Sequence, residues 1–193
     1  MSEHIVFVFD LVGSRTMPFT QRANVQLLLE NCVDYLNEVF KDDLEREIDF
    51  TRGDAIQGFF HENATGQAKD CMVFLAVALW HVPARFSMAV GDWTYHSFRG
   101  VNAQDGEVFW NASNAMKMAK KNEWKVVIYD DPDGSKALAD ELHIAETTTL
   151  EKNKKMLEVF FDNSQPKLSR IRRSYWKDRE NDIREIRKKL FEN

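Results

Sequence analysis

Apolar residues recur along this chain in two rhythms, one of period two and one of three to four. His4 to Asp10 (HIVFVFD) is a short β-branched and aromatic run ended by Val12-Gly13-Ser14, a buried-strand signature. From Phe19 to Phe40 the rhythm changes, with Leu28, Leu29, Cys32, Val33, Leu36 and Phe40 at three- and four-residue intervals. That spacing predicts an amphipathic helix facing a sheet. Two strand-like runs follow, 46–52 and 55–61, separated by Gly53-Asp54, a two-residue loop of hairpin type. Ala64 to His81 reads as a second helix with Ala68, Cys71, Met72, Leu75 and Leu79 on one stripe, closed by Pro83. Ala84 to Val90 is a strand, Gly106 to Lys121 a third helix, and Trp124 to Asp130 a strand stopped by Asp-Pro-Asp-Gly.

The order β-α-β-β-α-β, then α-β, predicts an α/β (α+β) fold, a ferredoxin-like palm with an antiparallel sheet covered by helices on one face. This palm spans residues 1–131. Residues 132–193 show no strand pattern and predict a helical extension, interrupted near Asn163 to Pro166.

Composition changes this picture in two ways. With 44% apolar residues, 30% charged, 8 Gly and 4 Pro in 193 residues, the chain can bury a core and is not low-complexity. Its net charge of −5 hides a polarity: the segment 167–189 carries ten Lys/Arg against four acids, a local +6 that leaves −11 elsewhere. A basic stretch with apolar positions Leu168, Ile171, Tyr175, Ile183, Ile186 and Leu190 in near-helical register either docks on the acidic palm or meets an anionic partner, nucleic acid included. The N-terminus lacks the basic region of a signal peptide, and the longest apolar stretch, Cys71 to Trp80, is too short to span a bilayer. Cys32 and Cys71 are isolated, with no zinc-type spacing. The expectation is a reduced, cytoplasmic protein without a membrane partner.

Two aspartates stand out as candidate chemistry. In a palm, the end of the first strand (Asp10) lies beside the tip of the hairpin (Asp54). Two carboxylates with open positions for water and phosphate suit Mg²⁺ or Mn²⁺. Gly13-Ser14, between strand and helix, offers free backbone N–H groups to a phosphate chain, and Arg15 or Arg52 would add positive charge. Asp at a strand end and Asp in a Gly-Asp turn also occur for backbone reasons alone. Asp92, after a strand end, reads as a turn residue, though it is also a third candidate carboxylate. The five histidines (4, 61, 81, 96 and 143) are scattered, and the five tryptophans (80, 93, 110, 124 and 176) read as core or interface residues. Residues 137–156 carry a faint helix-turn-helix pattern, with His143 where the turn glycine would stand.

These motifs resemble a known family. Phe9-Asp10-Leu-Val-Gly13-Ser14-Arg15 looks like the first-strand element of class III nucleotidyl cyclases, and more closely that of the SatD family of bacterial cytosolic proteins. Thr51-Arg-Gly53-Asp54-Ala-Ile-Gln57-Gly58-Phe is similar to the family's hairpin, Arg85 to Gly91 to its next strand, and Asp105 to Met116 to its third-helix entry. The resemblance implies a nucleoside triphosphate ligand, with Asp10 and Asp54 as metal aspartates and Gly13-Ser14 as the phosphate turn. It also implies a homodimer in which Asn111 orients ribose and transition state across a two-fold interface. Three departures bear on turnover. Ala115 stands where cyclases place an arginine four residues after that Asn, Ser113 where SatD-type elements often have Arg, and Ala55 where related hairpins often have an acid. The readings are therefore a cyclising enzyme, a catalytically silent nucleotide sensor or regulator whose C-terminal helices touch DNA or a partner protein, and a plain dimerisation module.

Overall fold

A computed structural model describes residues 3–79, 82–95 and 97–147 of the chain, with backbone alone for 144–147. Five strands form one sheet: β1 (His4–Leu11), β2 (Leu44–Arg52), β3 (Ala55–Phe60), β4 (Ala84–Gly91) and β5 (Val126–Ile128). Four helices join them: α1 (Phe19–Val39), α2 (Thr65–Ala78), α3 (Glu107–Asn122) and α4 (Pro132–Thr147). The strand order is β2-β3-β1-β4-β5. The first four strands, with α1 and α2, make the expected βαββαβ palm, every neighbouring pair antiparallel. β5 adds to the edge of β4 in parallel, reached through α3.

β1 lies between two partners and is apolar on both faces. Ile5, Phe7, Phe9 and Leu11 point into a large core shared with α1, α2 and α4. Val6 and Val8 point to the opposite face, where Val108, Ala112, Ala115 and Ala119 of α3 pack. The expectation of helices on one face is therefore corrected: α1, α2 and α4 cover one side, and α3 covers the other. An amphipathic stripe shows that a helix buries one side, but not which side of the sheet receives it. The run of alanines lets α3 approach closely, and Ser87 Oγ donates to the Ala112 carbonyl at 2.9 Å across that contact.

α2 is buried almost all round from Cys71 to Ala78, sandwiched between the sheet and α1 and α4. Leu138 and Leu142 of α4 join the same core, so the helix opening the expected 132–193 extension packs on the palm. The rest of that extension, including the basic segment 167–189, lies outside the described residues.

β5 is shorter than the predicted 124–130 strand. Glu123 takes a left-handed φ of 58° as the C-cap of α3, Trp124 N–H still bonds to the Ala119 carbonyl, and Asp130 turns the chain with φ 58°. Between these turns Val126–Ile128 pair with β4, with the Lys125 carbonyl and Tyr129 N–H completing the ladder. Gly58 of β3 is required sterically, because a Cβ there would meet the buried Phe7 ring at 2.3 Å.

Both outer strands are gripped by a side chain from a helix. On β2, whose pairing is interrupted between Arg46 and Asp49, Asn37 of α1 accepts from Ile48 N–H at 2.6 Å and donates to Ile48 C=O at 2.9 Å. On β5, Ser135 of α4 accepts from Ile128 N–H at 2.6 Å and donates toward the carbonyls of Asp131 (3.1 Å) and Ile128 (3.4 Å).

Candidate functional site

The C-terminal end of β1 collects most of the residues singled out from the sequence. β1 pairs with β3 through Phe9↔Ile56, so continuing the register puts Asp10 beside Ala55 and the turn residue Asp54 one step on. The turn itself is tight: Arg52 faces Ala55, and Gly53 takes φ 67°, which a side chain would strain. Gln26 of α1 donates to the Gly53 carbonyl at 3.3 Å and ties the turn to the helix layer.

Beyond Leu11 the chain turns sharply. Val12 N–H bonds to the Pro83 carbonyl at 2.8 Å, Gly13 takes φ 71°, and Ser14–Thr16 form a single 3₁₀ turn. Thr16 closes it, its N–H and Oγ1 both donating to the Gly13 carbonyl at 3.0 and 2.8 Å. The N–H groups of Gly13, Ser14 and Arg15 find no acceptor among the described residues, as expected for the opening of a helical turn. Arg15 and Arg52 are exposed at this end, and neither forms an ion pair among the described residues.

The two carboxylates differ in environment. Asp10 Oδ2 lies 2.9 Å from Lys120 Nζ of α3, an ion pair with Asp10 mostly buried and Lys120 half exposed. Asp54 Oδ2 is buried and has no hydrogen-bond partner among the described residues. A buried carboxylate oxygen without a donor is costly, and a hard cation satisfies it. The residues present therefore fit a divalent ion held by two carboxylates, with its other positions taken by water or phosphate oxygens. No group of three or more His, Cys, Asp or Glu that could hold a metal occurs among the described residues.

Asn111 is not brought to this end. It sits half-buried on α3, nine residues before Lys120, which is about 13 Å along the helix axis. Asp92 lies at the far end of the sheet, because Gly91 pairs with His4; its carbonyl accepts from Val108 N–H at 3.2 Å. The turn reading of Asp92 holds, and a third carboxylate beside Asp10 is excluded. Lys120 was not singled out from the sequence. One lysine among several at a helix end carries no signal until α3 is known to cross β1.

A second polar cluster occupies the opposite end. Glu45 Oε1 accepts from His4 Nε2 at 3.2 Å and His61 Nδ1 at 2.5 Å. Trp93 packs edge-on to His4 and Phe59, with the Arg46 guanidinium 5.5 Å above its ring. Trp93 is thus a packing residue, as expected. Trp110 and Trp124 are exposed, and Trp110 Nε1 donates to Asp105 at 2.7 Å. Trp80, His81, His96 and Trp176 lie outside the described residues, and the 137–156 helix-turn-helix pattern is covered only as far as α4.

No protein-family model matches the chain, and no curated protein sequence matches it. Similar solved structures are nucleotidyl cyclase-like domains. A bacterial light-regulated adenylyl cyclase aligns with 66% of this chain and 75% of its own at 12% identity and TM-score 0.45. The active GGEEF domain of a diguanylate cyclase from Vibrio cholerae aligns with 66% of this chain and 83% of its own at 11% identity and TM-score 0.46. A class III adenylyl cyclase-like ATP-binding protein from Pseudomonas aeruginosa aligns with 94% of this chain at 10% identity and TM-score 0.44. The chain spans 44% of that last protein. Among the described residues, no helix is long and apolar enough to cross a membrane.

Proposed function

We propose that this protein is a metal-dependent nucleotide-binding palm of the SatD type, related to class III nucleotidyl cyclases. The observation that carries the reading is the buried, unpartnered Oδ2 of Asp54, one residue beyond the position opposite Asp10. Asp10 and Asp54 would hold Mg²⁺ or Mn²⁺. When bound, the ion would supply charge neutralisation on the triphosphate and acidify a nearby hydroxyl. The chain's own part is positional. The free N–H groups at Gly13, Ser14 and Arg15 receive phosphate oxygens, and Arg15 and Arg52 add charge at the rim.

Asn111 serves a site only across a two-fold dimer, since its own α3 carries it away from Asp10. In the cyclising form of this reading, the ribose 3′-oxygen attacks the α-phosphorus and pyrophosphate leaves.

One observation favours a second reading, a silent nucleotide sensor. Ala115 is fully buried against the sheet. The helix turn where a cyclase carries its arginine thus packs the core and offers nothing to a neighbouring site. An electrostatic donor of that kind contributes roughly 3–4 kcal/mol to a barrier.

Calorimetric titration of the full chain with each nucleoside triphosphate and Mn²⁺ tests binding, and mass spectrometry of the products tests turnover. Binding without product selects the sensor. Neither binding nor product defeats both readings.

A further inference from the structure

We propose that Lys120 competes with a divalent cation for Asp10, so that metal entry at the Asp10–Asp54 end of the sheet releases the Lys120 arm from α3. The inference rests on the metal-binding reading of those two aspartates and goes beyond it by naming the group the metal must displace.

The geometry makes the competition direct. The Lys120 ammonium sits 2.9 Å from Asp10 Oδ2, the place a cation would take on that oxygen. Asp10 cannot turn away easily: it is mostly buried, and β1 is hydrogen-bonded to strands on both sides. Lys120 can, because its side chain is half exposed on a flexible four-carbon stem. A divalent ion bound to Asp10 would also repel a single positive charge a few ångströms away, so the two occupants exclude each other.

The two aspartates are unequal in this respect. Among the described residues Asp54 Oδ2 has no cationic partner, so only one of the two ligands is contested. Reach is set by packing: Ala112, Ala115 and Ala119 hold α3 close to the sheet, which brings a lysine at its last turn over β1. The adjacent Lys121 is exposed and has no ion pair among the described residues.

The test compares Mn²⁺ binding by wild type, Lys120→Met, Lys121→Met and Asp54→Asn full-length chains, read by the EPR signal of free Mn²⁺ without nucleotide. Lys120→Met should bind about two- to tenfold tighter than wild type, and Lys121→Met, which removes the same charge, less than about twofold tighter. In metal-free buffer Lys120→Met should lower Tm by about 1–3 °C, and this loss should vanish in an Asp10→Asn background.

If wild type binds Mn²⁺ and Lys120→Met binds no tighter than Lys121→Met, the competition is refuted while the metal reading stands. If wild type shows no binding but Lys120→Met does, the competition is supported in its strongest form. If neither binds, the metal reading fails, and a Tm loss alone marks a structural ion pair, which overturns the proposal.

Discussion

Replacing Asp54 by asparagine perturbs the candidate site at its least satisfied atom. Asp54 Oδ2 is buried without a partner among the described residues, and a group left so costs roughly 1–3 kcal/mol. The neighbouring Asp10 adds repulsion. Lys120 offsets part of this at Asp10, and a half-exposed pair of that kind contributes only about 0.2–1 kcal/mol. The metal-free variant should therefore be more stable than wild type by about 1 kcal/mol, or roughly 2–4 °C in Tm for a chain of this size. Mn²⁺ should reverse the order. At a hundred times Kd, wild type gains about 2.7 kcal/mol from the ion, whereas the variant, lacking one of two carboxylate ligands, gains almost nothing. Scanning calorimetry with a chelator and again with millimolar Mn²⁺ reads both differences. A variant stabilised by Mn²⁺ as much as wild type, or one losing more than about 1 kcal/mol without metal, would refute the reasoning.

Other substitutions probe the frame around the site. Gly58→Ala should lower stability by about 2–3 kcal/mol in a denaturant titration, because its Cβ would displace the buried Phe7 ring. Asn37→Ala should cost about 2 kcal/mol, since it leaves the Ile48 N–H and C=O without their partner on α1; proteolysis should then begin within β2. Cys32 and Cys71 are fully buried and burial pushes both thiols well up, so a thiol reagent at pH 8 should label neither until the chain unfolds. Burial, with Glu38 adding to it, pushes the Tyr35 hydroxyl up to about 12. Because the folded value is raised, this contribution to stability is fully present below about pH 10 and lost as pH rises through about 12. Tyr35→Phe should flatten that alkaline decline in a pH series of melts.

Much of the fold was legible because its signals are local. The period-two run of β1, the three-to-four spacing of α1 and the Gly53-Asp54 turn each depend on neighbours in sequence. The palm order then leaves few ways to join them. Legibility failed where a partner far along the chain decides. The helix over 106–121 was plain, but its side of the sheet depended on which face α1, α2 and α4 had already filled. β5 was overread by two residues at each end, because left-handed φ at Glu123 and Asp130 is set by capping and turn geometry rather than by hydropathy. At the site, Asp10, Asp54, Gly13 and Ser14 were readable from strand ends and turns. Lys120 was not, since its meaning lies wholly in a helix–strand crossing. The same holds for the meeting of His4, Glu45 and His61, which arrive from three separate segments.

The grips on the two border strands carry a consequence for how copies of this protein can associate. A bare border strand is a template, because its unpaired N–H and C=O groups invite another chain to extend the sheet without limit. Here each border has one residue held by a side chain of a packed helix: Ile48 through both its N–H and C=O, and Ile128 through its N–H. A docking strand would have to break those bonds and find α1 or α4 already flanking the border. One amide and one hydroxyl thus each hinder sheet-wise extension at one border. Two-fold pairing through helix and loop surfaces avoids those bonds, and such contacts close on themselves instead of propagating.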